Sequence, residues 1–156
     1  MNVRKLMVVL VASAAALGVV ACSNDEGPAV ERFTATLNGA SENPPVTTTA
    51  TGTAVVTFTA TGLEWTVNVS NIANVTASHI HAPAAVGTNA GVVLNLNPNT
   101  SVTNGLLTAG TATTTTPPTL VTMDSLKKLI RAGQAYVNVH NSANPGGHIR
   151  GQLQKQ

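Results

Sequence analysis

Of the 156 residues in this chain, 43% are hydrophobic, 9% charged and 3% aromatic. The formal charge of +2 rests on Arg4 and Lys5: from Cys22 onward, Arg32, Lys127, Lys128, Arg131, Arg150 and Lys155 are balanced by Asp25, Glu26, Glu31, Glu42, Glu64 and Asp124. No Lys/Arg stripe with interleaved aromatics is present, which argues against nucleic acid as a partner, and abundant Thr, Val, Ala and Asn favour short strands over a helical bundle.

The elements begin with a leader. Arg4 and Lys5 precede an apolar, small-residue run from Leu6 to Val20, the pattern of a secretory signal peptide. The run stops at Val19-Val20-Ala21-Cys22, which looks like a bacterial lipobox. The expected organisation is a lipoprotein signal peptide over 1–21, a tether over 22–31 that starts at the lipidated Cys22, and one domain over 32–156. Two or more acyl chains make such an anchor firm. At about 3.5 Å per extended residue the polar tether reaches only about 30 Å, so the domain would work close to a membrane. The expected location is the bacterial cell envelope, extracytoplasmic and lipid-anchored. Ser23 after the cysteine favours the outer membrane in a Gram-negative cell. With its single cysteine committed, the chain forms no internal disulfide, and a domain of about 120 residues must be held by packing.

From Phe33 the apolar residues alternate with polar ones. Phe33, Ala35 and Leu37 share one face, and Thr34 and Thr36 the other. A turn-rich segment follows from Asn38 to Pro45. Ala54 to Thr59 then reads as a strand, Thr61-Gly62 as a hairpin turn, and Leu63 to Val69 as a strand that turns Trp65 into the core as an anchor. Val75 to Ala82 carries His79 and His81; their spacing of two puts both rings on one strand face, where they can close on one ion. A loop from Pro83 to Ala90 leads to strands at Gly91–Leu96 and Leu106–Thr113, and the prolines of the Thr113–Pro118 run bar it from a central strand. Thr122 caps a helix whose Leu126, Leu129 and Ile130 share a face and which Gly133 ends. Lys127, Lys128 and Arg131 read as its solvated side.

The last hairpin pairs Ala135–His140 with His148–Leu153. In that register Val139 faces Ile149, Asn138 opposes Arg150, and His140 lies beside His148, because directly opposed Cβ atoms are about 5 Å apart. Asn138 and Arg150, paired beside the histidines, either orient the ligands or solvate the sheet, and solvation is the favoured reading.

Leu37–Val46 (LNGASENPPV), Ala50–Ala54 (ATGTA), Ser78–His81 with Ala82–Val93 (SHIH, APAAVGTNAGVV) and Tyr136–Leu153 (YVNVHNSANPGGHIRGQL) together resemble the CHRD, or chordin-type, domain. The resemblance covers essentially the whole expected domain. It implies an all-β, Greek-key β-sandwich, Ig-like or similar to Cu/Zn superoxide dismutase, here with one short helix before the C-terminal hairpin. It also implies a surface or exported protein of a family with no established activity for most members. The chain departs from the common pattern at His148, where many relatives carry Glu.

Neutral imidazole is the usual ligand of copper, zinc and nickel. Cu/Zn superoxide dismutases use a strand His-x-His pair in this way, and His140 is the best candidate for a third ligand, with His148 or Glu42 completing or orienting the set. No catalytic residues are expected, because the sequence lacks the motifs of the familiar nucleophile, P-loop, dinucleotide and zinc-protease sites. The leading reading is a non-enzymatic, membrane-anchored envelope protein whose domain meets a protein or surface partner. The alternative is a histidine-based copper or zinc buffer or carrier.

Overall fold

The structure, a computed structural model, describes residues 30–116 and 119–156. The expected signal peptide, Cys22 and most of the tether lie outside the described residues, as does the Pro117-Pro118 pair. Among the described residues, nine strands and one α-helix follow in order: β1 Arg32–Asn38, β2 Thr51–Phe58, β3 Leu63–Ser70, β4 Val75–His81, β5 Val92–Asn95, β6 Gly105–Ala112, α1 Met123–Arg131, β7 Tyr136–Asn141, β8 Ile149–Gln152 and β9 Gln154–Lys155. A 3-10 turn at Gly39–Ser41 opens the segment after β1.

The strands pair antiparallel throughout, in the order β5-β4-β7-β8-β1-β2-β3-β6, with β9 beside β1. The chain crosses from β3 to β4 and from β5 back to β6, so neighbours in space are not neighbours in sequence. The sheet curls around a common core, giving the expected β-sandwich with a short helix. Period-two alternation places the residues: Phe33, Ala35 and Leu37 of β1 and Leu63, Trp65, Val67 and Val69 of β3 are buried, while Glu64 and Asn68 are exposed. They meet Ile80, Val137, Val139 and Ile149 from the other half of the sheet in a single apolar cluster. Trp65 is the core anchor expected of it. Its indole N–H donates to Thr108 Oγ1 at 3.3 Å, and that hydroxyl donates to the Leu96 carbonyl, which satisfies the polar end of a buried ring.

Helix α1 starts where Thr122 Oγ1 accepts the Ser125 N–H at 3.2 Å, and Gly133 ends it at a φ of +67°, a conformation that favours glycine. Leu126 and Ile130 are buried, worth about 1.5–3 kcal/mol each. The basic side of the helix is less free than the sequence suggests. Lys127 donates to the Thr59 carbonyl at 2.9 Å, and Arg131 pairs with Glu31 and lies over the Phe58 ring at 4.9 Å. These contacts pin α1 to the start of β1 and the end of β2.

The C-terminal hairpin adopts the register read from its sequence, with Asn138 opposite Arg150 and Val139 opposite Ile149. Strand β8 then meets β1 at the single pair Asn38 and Arg150. Gly151 makes the approach feasible, because a Cβ there would collide with the Thr36 carbonyl.

Candidate metal centre

Strands β4, β7 and β8 each present a polar residue set on the face turned away from the core. The pairs His79 with Asn138, His81 with Tyr136, and Asn138 with Arg150 place those side chains together on that face, and His140 follows two residues after Asn138. Such a face is normally open to water. Here His81, Asn138, His140 and Arg150 are all buried, and His79 is half-buried. Three chain segments form a roof: the one after β1 carries Glu42 and Asn43, the β4–β5 loop carries Thr88 to Ala90, and the β7–β8 loop carries Asn144 and Pro145.

Under that roof the rings of His79, His81 and His140 converge, and one donor nitrogen from each lies within 4.8 Å of the others. A bulge between Ile80 and His81, where β4 meets β5, sets the second ring at the rim of the loop. His81 Nδ1 donates to the Ala90 carbonyl at 2.9 Å and His140 Nδ1 donates to the Pro145 carbonyl at 2.9 Å. Each ring is neutral, so these bonds leave its Nε2 as a lone pair. The His81 Nε2 is buried and has no hydrogen-bond partner. His140 Nε2 accepts a hydrogen bond from His79 Nδ1 at 3.1 Å. Carbonyl acceptors on the distal nitrogen are the usual second-layer support of a metal-binding histidine, since they fix both tautomer and ring orientation.

Electrostatics keeps the rings uncharged. Burial, with the neighbouring histidines adding to it, depresses His79 to about 4. Burial depresses His81 to about 4 as well, against the opposing pull of the Ala90 carbonyl. His140 is also lowered, first by burial and then by the Arg150 charge, with the Pro145 carbonyl opposing. At neutral pH all three are therefore competent ligands.

The structure separates the two auxiliary candidates from this trio. Glu42 pairs with Arg150, its Oε2 accepting from Nε at 2.8 Å, with both side chains almost wholly buried. Burial raises the Glu42 carboxyl above its ordinary value, and Arg150 pulls against that. His148 lies just before β8 and is not one of the three converging rings. Its Nδ1 accepts from Asn144 Nδ2 at 2.8 Å and its Nε2 donates to Thr48 Oγ1 at 3.1 Å, so both nitrogens are held by loop residues outside the trio. The backbone register was right, but the ring takes partners offered by two loops.

Arg150 and Asn138 do not solvate the sheet; they are 4% and 2% exposed. The Arg150 guanidinium donates to the Thr88 carbonyl at 3.1 Å and to Asn89 Oδ1 at 2.8 Å, and its carbon lies 4.7 Å from the centre of the Tyr136 ring. Tyr136, absent from the sequence reading of the site, stacks on His81 at 4.8 Å and 3°. Its signal was available: Tyr136, Asn138 and His140 alternate on one face of one strand.

Gly147 completes the floor of the roof at a φ of +144°, and a Cβ there would fall 2.6 Å from Asn138 Nδ2 and 2.7 Å from a Glu42 carboxylate oxygen. Among the described residues, no helix is long and apolar enough to cross a membrane.

Comparison with known families matches residues 33–153 to the model described as the CHRD domain. Neither a curated protein nor a solved structure matches the chain.

Proposed function

The chain belongs to the CHRD domain family, and on that premise we propose that it is a lipid-anchored envelope protein whose domain binds a transition metal, copper or zinc, without catalysing a reaction. His79, His81 and His140 are the ligands. The observation that carries this reading is the buried, unpartnered Nε2 of His81, held in the ligand tautomer by the Ala90 carbonyl and converging with two further rings. An orphaned buried acceptor costs about 1–3 kcal/mol, and a cation in the cluster would remove that cost. Three neutral nitrogen donors without a carboxylate or thiolate suit copper or zinc better than magnesium or calcium, which take oxygen ligands. The half-exposed His79 leaves the cluster reachable from solvent, as a buffer or carrier requires.

The test is a Zn(II) and Cu(II) titration of residues 22–156 carrying Cys22→Ser, a segment that contains the whole core. Saturable binding of one equivalent near micromolar, lost in His81→Ala and His140→Ala, is the expected result. Metal at a hundredfold excess over its dissociation constant should stabilise the fold by about 2.7 kcal/mol, seen as a raised Tm. Absence of saturable binding would sink the proposal.

A second reading, interaction through the rim loops, draws on Val86, 76% exposed in the loop over the site, and Val92, 37% exposed beside it. Val86→Asp should abolish capture of an envelope partner while leaving metal binding intact. The anchor is testable separately: membrane fractionation of the tagged full chain should show the protein with the envelope and Cys22→Ser should release it.

A further inference from the structure

The groups that hold His81 in place both lead to one side chain. Its Nδ1–H is fixed by the Ala90 carbonyl, and its ring face by Tyr136. The residues immediately before Ala90 are Thr88 and Asn89, and both are hydrogen-bonded by Arg150, through Nη1 at 3.1 Å and Nη2 at 2.8 Å. Strand β7 lies between β4 and β8, so Tyr136 stands between the imidazole and the guanidinium that covers it at 4.7 Å. The remaining arm, Nε, is tied to Glu42 at 2.8 Å. Arg150 thus joins the roof segments after β1 and β4 to the floor of the site, while its own nitrogens stay committed to those segments.

We infer that Arg150 is the positioning residue of the three-histidine centre: it holds the Ala90 carbonyl and the Tyr136 ring that set the tautomer and plane of His81. This deepens the metal reading and rests on it for its functional meaning. The role needs a planar fork with donors aimed in several directions and a flat face for the aromatic ring. A lysine ammonium has neither. Second-layer supports of this type typically govern metal affinity by about 10–100-fold.

The experiment uses residues 22–156 with Cys22→Ser and compares the parent with Arg150→Met and Arg150→Lys. Two quantities are measured: Zn(II) affinity by titration, and the His81 tautomer in the metal-free protein by nitrogen-15 NMR. Circular dichroism confirms that each variant is folded. Arg150→Met should bind Zn(II) about 10–100-fold more weakly and show a mixed His81 tautomer, and Arg150→Lys should recover only part of the loss. A folded Arg150→Met that keeps parental affinity and a pure Nδ1–H tautomer would overturn the inference. If Arg150→Met does not fold, Asn89→Ala removes one link of the clamp and leaves the ion pair in place. It should shift affinity and tautomer in the same direction by less, and parental values of both would overturn the inference equally. A parent that binds no Zn(II) defeats the metal reading alone; the metal-free tautomer measurement then decides the role of Arg150 by itself.

Discussion

The sandwich has two outward faces of very different character. On β1, β2 and β3 the residues opposite the core include Thr34, Thr36, Thr53, Val55 and Thr66, paired in regular register and open or half-open to water. On β4, β7 and β8 the equivalent positions hold histidines, Tyr136, Asn138 and Arg150, and the loops close over them. Threonine on an exposed strand satisfies β-propensity at little cost. Burying imidazoles, an amide and a guanidinium incurs desolvation that must be offset by partners. A fold that covers such groups on one face, while leaving the other to threonine, concentrates its polar interior where a ligand can use it.

Removing one partner of the covered charge pair should give the largest contrast. Glu42→Ala leaves Arg150 buried and uncompensated, with an expected loss of about 3–5 kcal/mol in urea unfolding. A loss below about 1 kcal/mol would mean that water reaches Arg150 and that the roof is not closed.

Acid should separate the faces next. His79 and His81 have folded-state values near 4, below the ordinary 6.5, so the unfolded chain binds more protons between those limits. Their contribution is fully present above pH 6.5 and is lost as pH falls toward 4, and His81 alone is worth up to about 3 kcal/mol at about 1.36 kcal/mol per pH unit. Unfolding midpoints measured from pH 7 to pH 4 should fall, and His81→Gln should flatten the curve over that range. An unchanged slope in His81→Gln would place the acid sensitivity elsewhere.

Glycine supplies a finer comparison. Gly147→Ala must carry a side chain at positive φ and into the Glu42 carboxylate, an expected cost of about 1–3 kcal/mol by thermal unfolding. Gly87 also has a positive φ, +78°, but nothing lies within 4 Å of its Cβ position, so Gly87→Ala should cost about 1 kcal/mol or less. Equal effects at the two sites would contradict the tight floor described around Gly147. Thr36→Ala and Thr53→Ala on the open face should change stability by no more than about 0.5 kcal/mol.

Much of the frame was legible in the sequence because it depends on local periodicity. Strand alternation located Phe33, Trp65 and Val139, a cap and a glycine bounded the helix, and the apolar pattern of the last hairpin chose its register. The same period put His79 and His81 on one face. Convergence of His140 with them needed the pairing of β4 with β7, which a single sequence only suggests. The roof was not legible. Glu42 and Arg150 are far apart in the chain, and no local pattern announces that they meet. Nor does any pattern state that Asn144 and Thr48 will claim both nitrogens of His148. Burial of Arg150 and Asn138 follows from loops folding back over a strand face, a tertiary effect that alternation alone assigns to solvent.

Strand β1 has a mechanical consequence as well. It follows directly on residues 30–31, is laddered to β2 over its whole length, and is flanked on its other edge by β8 and β9. Tension applied at the Arg32 end of β1 and opposed at the Thr51 end of β2 would load the β1–β2 ladder in shear, all pairs together, instead of peeling them one at a time. A domain loaded in that way would resist being pulled apart, even though its core has few aromatic rings and no covalent cross-link.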